Sequence, residues 1–404
     1  SGDGQAVLRL GGGVTRGVGR LRQRADRHPR DDIHCRNMKE RFAGGARMLP
    51  AKYYTSQEIF VEELERIFGA RWLFAGHASQ LSEPGSYFLF ELDRESLIVT
   101  RDKESQVRAF HNVCRHRGAR ICTETRGGFK GGIQCPYHAW TYGLDGALTG
   151  APNMDDVAGF DRADFALNAV STEVWEGLVF VNFSSAPVPF NEAFAPLDGK
   201  FSRWHIPELQ SVHRTVYDVE ANWKLLFQNY SECYHCPTVH PVLNKLTPYR
   251  NSINDLEEGP FLGGPMRMSV EGGSMTMSGR ACAAPLGEIA GEDLNLVYYY
   301  TLFPNLFLSL HPDYVLIHRA EPLGPARTRI VCEWFFHPQA ITEPGFDASG
   351  AVEFWDMTNR QDWHLCTLSQ QGISSRGYTP GPYADLESQL AAFDREYLRS
   401  LGYG

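Results

Sequence analysis

Residues 114–118 read Cys-Arg-His-Arg-Gly and residues 135–138 read Cys-Pro-Tyr-His, with eighteen residues between His116 and Cys135. Each half offers one thiolate and one imidazole a residue or two apart, as a pair of chelating loops would. Two Cys on one metal and two His on the other match a [2Fe–2S] cluster in which imidazoles replace thiolates on one iron and raise its potential. A structural zinc site draws on the same ligand types. Zinc fingers, however, carry their cysteines together and then their histidines. Trp140, just beyond, is placed to shield the cluster, and Cys122 inside the loop reads as a packed thiol.

The flanking sequence says what such loops are mounted on. Thr55 and Glu58 resemble a capping box, and Phe60, Leu64, Ile67 and Phe68 make an apolar stripe that ends at Gly69, which predicts a helix. Strand-like runs follow at 96–100, 107–112 and 174–183, and the proline-spaced stretch 186–196 reads as a linker. Beyond it, 212–220 alternates like a strand and 222–236 reads as a helix. Runs at 296–303, 305–310, 314–319 and 329–336 suit an antiparallel sheet, and 352–371 and 386–398 look helical. The glycine- and methionine-rich stretch 259–279 suggests a mobile loop or lid. The expected class is α+β, with an N-terminal helix and a cluster-bearing β domain over 48–189 and a catalytic domain over 190–404.

Composition narrows the function classes. A chain of 404 residues with 43% hydrophobic and 22% charged residues can bury two cores. A net charge of −9 gives no basic field for nucleic acid. No apolar run of about 18 residues predicts a membrane span. The nine cysteines are odd in number and thinly spread, which fits reduced thiols and a cytoplasmic location better than a secreted disulfide scaffold. Residues 1–47 hold eleven Lys/Arg against five Asp/Glu with almost no apolar periodicity. They read as a disordered or non-native extension ahead of a start at Met38 or Met48.

A second dense patch, residues 222–241, reads Asn-Trp-Lys-Leu-Leu-Phe-Gln-Asn-Tyr-Ser-Glu-Cys-Tyr-His-Cys-Pro-Thr-Val-His-Pro. Glu232 and His235 are i, i+3 and share a face on a helix. His240 lies five residues beyond His235, about 140° away on a straight helix. Pro237 disfavours helix at Cys236, and a break there would let His240 fold back. Two imidazoles and a carboxylate with open positions form the facial triad of non-haem Fe(II) oxygenases. Hydrogen-bonded core histidines, a soft-metal site using Cys233 and Cys236, and a catalytic zinc remain open on spacing alone. Spacing does not identify the third ligand.

Together these patches resemble the α subunits of Rieske ring-hydroxylating and N-demethylating oxygenases, in the style of those acting on glycine betaine, carnitine and choline. The resemblance runs from about Pro50 and is best over 110–142, 222–241, 303–319 and 361–378. It implies a Rieske β domain followed by a helix-grip catalytic domain. By that resemblance Cys114 and Cys135 hold one cluster iron and His116 and His138 the other, while His235, His240 and Asp362 bind a mononuclear Fe(II). Glu232 would link His235 to His138 of a neighbouring chain in a homotrimer. A separate NAD(P)H-dependent flavin or ferredoxin reductase would supply electrons, since no nucleotide-binding fingerprint is visible. The implied activity is O₂-dependent hydroxylation or N-demethylation of a small quaternary amine. Tyr230, Tyr234, Tyr298, Tyr299, Tyr300, Phe303 and Phe307 are candidates for an aromatic cage. An aromatic-acid ring hydroxylase using Arg267 against the substrate carboxylate is the alternative, and a Rieske electron carrier is an alternative of another class.

Overall fold

Short apolar runs in the first part of the chain pair into a seven-stranded antiparallel sheet in the computed structural model, which describes residues 45–403. The expectation for residues 1–47 thus falls outside the described residues except at 45–47. The strands of the first part are β1 (Leu73–His77), β2 (Ser86–Leu92), β3 (Glu95–Arg101), β4 (Val107–His111), β5 (Arg126–Gly128), β6 (Ile133–Gln134), β7 (Thr141–Tyr142), β8 (Leu148–Gly150), β9 (Ala169–Trp175) and β10 (Leu178–Asn182). The large sheet runs β1-β10-β9-β4-β3-β2-β5, and β6-β7-β8 form a small sheet of their own. The expected single strand over 174–183 is instead the hairpin β9–β10. Glu176 and Gly177 both take positive φ (49° and 72°), the two-residue turn whose twist matches the flanking strands. Apolar residues on both sides of so short a turn made it read as one run.

The second part builds a six-stranded antiparallel sheet, in the order β11-β16-β15-β14-β13-β12. Its strands are β11 (Gln210–Val219), β12 (Phe261–Arg267), β13 (Leu296–Leu302), β14 (Leu306–Leu310), β15 (Val315–Gly324) and β16 (Arg327–Phe336). β12 corrects the expectation of a mobile lid over 259–279, because Phe261–Arg267 is a mostly buried strand paired with β13. Its glycines answer crowding. A Cβ on Gly263 would meet the Tyr299 carbonyl at 2.0 Å, and one on Gly264 the Ile253 carbonyl at 2.0 Å.

The 25-residue helix Ser349–Ile373 buries Ala351, Phe354, Trp355, Thr358, Trp363, Cys366, Gln370 and Ile373, one stripe at helical spacing. Asp362 stands beside that stripe, four residues from both Thr358 and Cys366. The expected N-terminal helix is Gln57–Glu63, preceded by the single turn Lys52–Thr55 and continued by a π-helical turn over Leu64–Phe68, and it starts one residue later than expected. Ser56, not Thr55, is the cap and accepts the Ile59 N–H at 3.2 Å. Its last residue, Glu63, is buried and accepts hydrogen bonds from Trp223 Nε1 (2.8 Å), Tyr397 OH (2.6 Å) and the buried Lys224 ammonium. This knot ties the helix Gln57–Glu63, the helix Trp223–Tyr230 and the final helix Ser388–Ser400 into one body. Among the described residues, no helix is long and apolar enough to cross a membrane.

Candidate metal centres

The two Cys-His halves lie on tight loops of the first part. The Cys114 N–H donates to the Ala119 carbonyl (2.8 Å) and the Cys135 N–H to the Trp140 carbonyl (2.8 Å), so each loop closes on itself. Cys114 and Cys135 are buried, lie within hydrogen-bonding reach of each other, and burial pushes the Cys135 thiol pKa up. Tyr142 OH sits 3.3 Å from Cys114 Sγ and accepts the Arg115 N–H at 3.0 Å. On the other side the His116 and His138 rings are 4.7 Å apart, and His116 stacks on Trp140 at 4.8 Å with planes 8° apart. His116 Nδ1 is buried with no partner. Sulfurs paired together, imidazoles paired together and an orphaned ring nitrogen fit a two-iron cluster better than one tetrahedral ion.

The second patch departs from the expected helix. The helix ends at Tyr230, residues 231–235 form a turn, and a short helix Cys236–Val239 restarts with Pro237 in its first turn. Proline is favoured there because its missing N–H would be unpaired anyway, so the break precedes Pro237. Glu232 and His235 still meet. His235 Nδ1–H donates to Glu232 Oε1 at 2.6 Å, and the other Glu232 oxygen accepts the Tyr234 N–H. His240 Nδ1–H donates to Gln361 Oε1 at 2.7 Å.

With both Nδ1 atoms donating, both Nε2 atoms present lone pairs to the same point. They lie 3.1 Å apart, and Asp362 Oδ1 is 3.2 Å from His235 Nε2 and 2.8 Å from His240 Nε2. Three acceptors facing one another demand a positive charge between them. Burial alone would lower the His235 pKa, but hydrogen bonds with Asp362 and Glu232 hold it up at about 10. The same histidines hold the Asp362 carboxyl below the usual carboxylate range against the effect of burial. Among the described residues, these three form the group of His and carboxylate atoms that converges on a single ion position, all within 4.8 Å.

Comparison with known proteins agrees with both centres. Residues 71–161 match the Rieske [2Fe–2S] domain, and 206–402 match the ring-hydroxylating α subunit catalytic domain. The glycine betaine monooxygenase oxygenase subunit of Chromohalobacter salexigens is 32% identical over 376 residues, covering 84% of this chain and 82% of that protein. That of Pseudomonas aeruginosa PAO1 is 31% identical over 365 residues, covering 83% of this chain and 84% of that protein. This chain belongs to the Rieske oxygenase α subunits. The crystal structure of the quaternary ammonium Rieske monooxygenase CntA with an inhibitor superposes with a TM-score of 0.77 at 25% identity, over 91% of this chain and 97% of that one. The Rieske oxygenase described here is therefore an oxidoreductase with a Rieske [2Fe–2S] domain and a 2-His-1-carboxylate iron triad.

In this Rieske oxygenase the triad opens into a cavity of about 820 Å³, its mouth included. Of the seven aromatic residues singled out in the sequence, Tyr230 and Tyr299 line it. Tyr298 and Tyr300 point to the opposite face of β13 and donate to Asp293 and Asp255. Phe303 and Phe307 pack in the core against Phe227, and Tyr234 is exposed. Trp355 completes the aromatic wall, its ring 6.0 Å from that of Tyr299, which in turn lies 6.1 Å from that of Tyr230. It escaped the sequence reading, although it lies seven residues before Asp362 on one helix face. The Tyr299 hydroxyl is buried and unpaired, and burial keeps it protonated. Arg267 is exposed, pairs with Glu292 and does not line the cavity. Among the described lining residues there is no Arg or Lys.

One expectation about the cysteines changes. Cys233 and Cys236 are joined as a disulfide, with Cα atoms 5.0 Å apart, rather than standing as reduced thiols or soft-metal ligands. The tight turn between the two helices brings them together. The other described cysteines, at 114, 122, 135, 282, 332 and 366, are free.

Proposed function

We propose that this chain is the oxygenase component that hydroxylates or N-demethylates a small quaternary amine, with electrons from a separate NAD(P)H-dependent reductase. The observation that carries the substrate class is the cavity wall. Tyr230, Tyr299 and Trp355 line it with aromatic rings that suit a cation, and the Glu232 and Asp362 carboxylates line the same cavity. A wall without Arg or Lys suits a cation and gives an aromatic carboxylate no ion-pair partner, which weighs against the aromatic-acid alternative. The relatives named for glycine betaine support the same class.

In this reading His235, His240 and Asp362 hold the mononuclear iron, and Cys114, Cys135, His116 and His138 hold the cluster. When bound, the cluster supplies electrons one at a time and the iron supplies O₂ activation at its open positions. The chain's own residues do the positioning. Glu232 fixes the His235 tautomer through Nδ1, and Gln361 does the same for His240. Glu232 also borders a second cavity, lined by Leu225, Cys366, Tyr383 and Leu390. That position suits a carboxylate coupling the iron site to the cluster of a neighbouring chain in a homotrimer. The aromatic wall sets an N-methyl carbon toward the triad, and once that carbon is hydroxylated it leaves as formaldehyde.

The test mixes iron-loaded protein, a generic ferredoxin reductase and NADH with glycine betaine, carnitine, choline, proline betaine and several aromatic acids, following O₂ uptake and formaldehyde. Formaldehyde in step with O₂ from one quaternary amine is expected. Coupled uptake confined to an aromatic acid, without formaldehyde, would overturn the reading.

A further inference from the structure

We propose that Cys233 and Cys236 are a reversible dithiol–disulfide couple whose closed state clamps the turn that carries His235, slowing metal loss from the triad. The bond spans residues 233–236, so the closed ring contains His235 and its backbone, with Glu232 immediately outside. That stretch lies between two helices, and the His235 carbonyl accepts the Thr238 and Val239 N–H groups at 3.1 Å. Its own turn is held by the Cys236 N–H to Cys233 carbonyl hydrogen bond at 3.2 Å. In the disulfide-bonded geometry the three ligand atoms are gathered within 4.8 Å, so the closed state presents a formed site.

Placement also makes the pair reactive where its neighbours are not. Both cysteines line the cavity that contains the triad. Cys233 is partly exposed and Cys236 buried, the arrangement of an attacking and a resolving thiol. Cys122, Cys332 and Cys366 are buried and Cys282 is partly buried beside the Asp313 carboxylate; burial pushes all four thiol pKa values up, so they are poor nucleophiles. Cys114 and Cys135 belong to the other centre.

The oxidant is hydrogen peroxide, the two-electron product that forms when electrons reach O₂ and substrate does not receive the oxygen. The Cys233 thiolate attacks one peroxide oxygen, the O–O bond breaks, an S–O bond forms, and hydroxide leaves to become water with the thiol's proton. The Cys236 sulfur then attacks the oxidised sulfur, the S–S bond forms, the S–O bond breaks, and a second water leaves with the second thiol's proton. Two thiols and one peroxide give one disulfide and two waters. Reopening consumes a dithiol reductant, which leaves as its own disulfide. Uncoupled turnover would in this way tighten the site that produced the peroxide.

The metal half of this inference rests on the reading of the triad as an iron site, whereas the thiol half does not. The full-length, iron-loaded protein would be treated with dithiothreitol, desalted, and divided with and without one equivalent of hydrogen peroxide. Differential alkylation and mass spectrometry of the peptide containing 233 and 236 read the thiols. Transfer of Fe(II) to a chelator reads the clamp, and visible absorbance checks that the cluster persists. Expected results are a linked peptide after peroxide, free thiols after reduction, and metal release about tenfold faster when reduced. The Cys233→Ser and Cys236→Ala variants should release metal at the fast rate whatever the treatment. Free thiols after peroxide in an iron-loaded protein would overturn the couple, and release indifferent to its state would overturn the clamp. A chain that takes up no third iron would overturn the site reading and the clamp together, and the alkylation result would still decide the couple.

Discussion

At the scale of single residues, the carboxylate of Glu232 does two things at once, holding His235 Nδ1 and the Tyr234 N–H. Replacing it by Gln keeps the size and one acceptor but removes the charge. The expected outcome for Glu232→Gln is normal iron content, normal cluster absorbance and turnover reduced at least a hundredfold. Normal turnover in a fully metallated variant would show that the residue is only a neighbour of the ligands. The Tyr299 hydroxyl and the Trp355 indole make a different prediction. Trp355→Leu removes a π-face and should raise KM for a quaternary amine by roughly five- to thirtyfold, about 1–2 kcal/mol of lost cation–π attraction. A neutral isostere of the amine, used as a competitive inhibitor, should lose little. Equal losses for both would mean that the wall contributes shape alone. The residues of this site were unevenly legible. His235 and His240 stand close in sequence and announced themselves, whereas Asp362 lies 122 residues beyond His240 and required the family resemblance. Trp355 was hidden because helical spacing toward the triad has meaning only once the helix is placed.

Elements are legible in the sequence where turn residues bound an apolar run and less so where no such boundary marks the end. Five of the six strands of the second sheet are legible in the sequence, four of them within two residues of their observed ends, because their apolar runs are long and bounded by turns; β15 runs on to Gly324, five residues past the expected end. The helix at 222–236 was over-extended. Its interior residues 223–228 are all buried, so no polar periodicity marked where it stopped, and Pro237 looked like a terminator when it is an initiator. The opposite error befell β12, whose Gly263–Gly264 pair suggested mobility but serves close approach of two backbones. That reading is testable. In Gly264→Ala the new methyl meets the Ile253 carbonyl and the Asn254 Cα, backbone atoms that have no alternative rotamer. The variant should lose about 3 kcal/mol or more of stability in a urea titration, and its KM should rise because Gly264 and Asn254 both line the cavity. An unchanged urea midpoint would restore the mobile-lid reading.

For the molecule as a whole, the question is what joins its distant segments, and the answer is buried polar groups that no local pattern could reveal. Glu63, Lys224 and Tyr397 are separated by up to 334 residues and meet in a dry core. Glu63→Ala strands the Lys224 ammonium and should destabilise the fold by about 3–5 kcal/mol, with much of it recovered in the Glu63→Gln/Lys224→Met double variant. Two of the buried histidines with lowered pKa values, His77 and His311, make part of the pH response of the fold predictable as well. Burial lowers the His77 pKa to about 4, partly opposed by the hydrogen bond its Nε2–H donates to the Ile206 carbonyl, and lowers that of His311 to about 3. Both rings are therefore neutral in the fold at pH values where the unfolded chain binds a proton. Their contribution is full above the ordinary His pKa of 6.5 and is lost as pH falls through 6.5 toward 4 and 3. Each contributes a slope approaching 1.4 kcal/mol per pH unit in that window. Both His311 ring nitrogens are buried without partners, and the ring stacks 3.9 Å from Tyr314, a contact phenylalanine can keep. His311→Phe should leave the urea midpoint near pH 7.5 within about 1 kcal/mol of the parent and flatten the loss between pH 5.5 and 4 by roughly one His equivalent. The same slope in both proteins would mean that His311 is protonated in the fold, and the buried pocket between Tyr299, Tyr314 and Trp355 would then have to hold a charge.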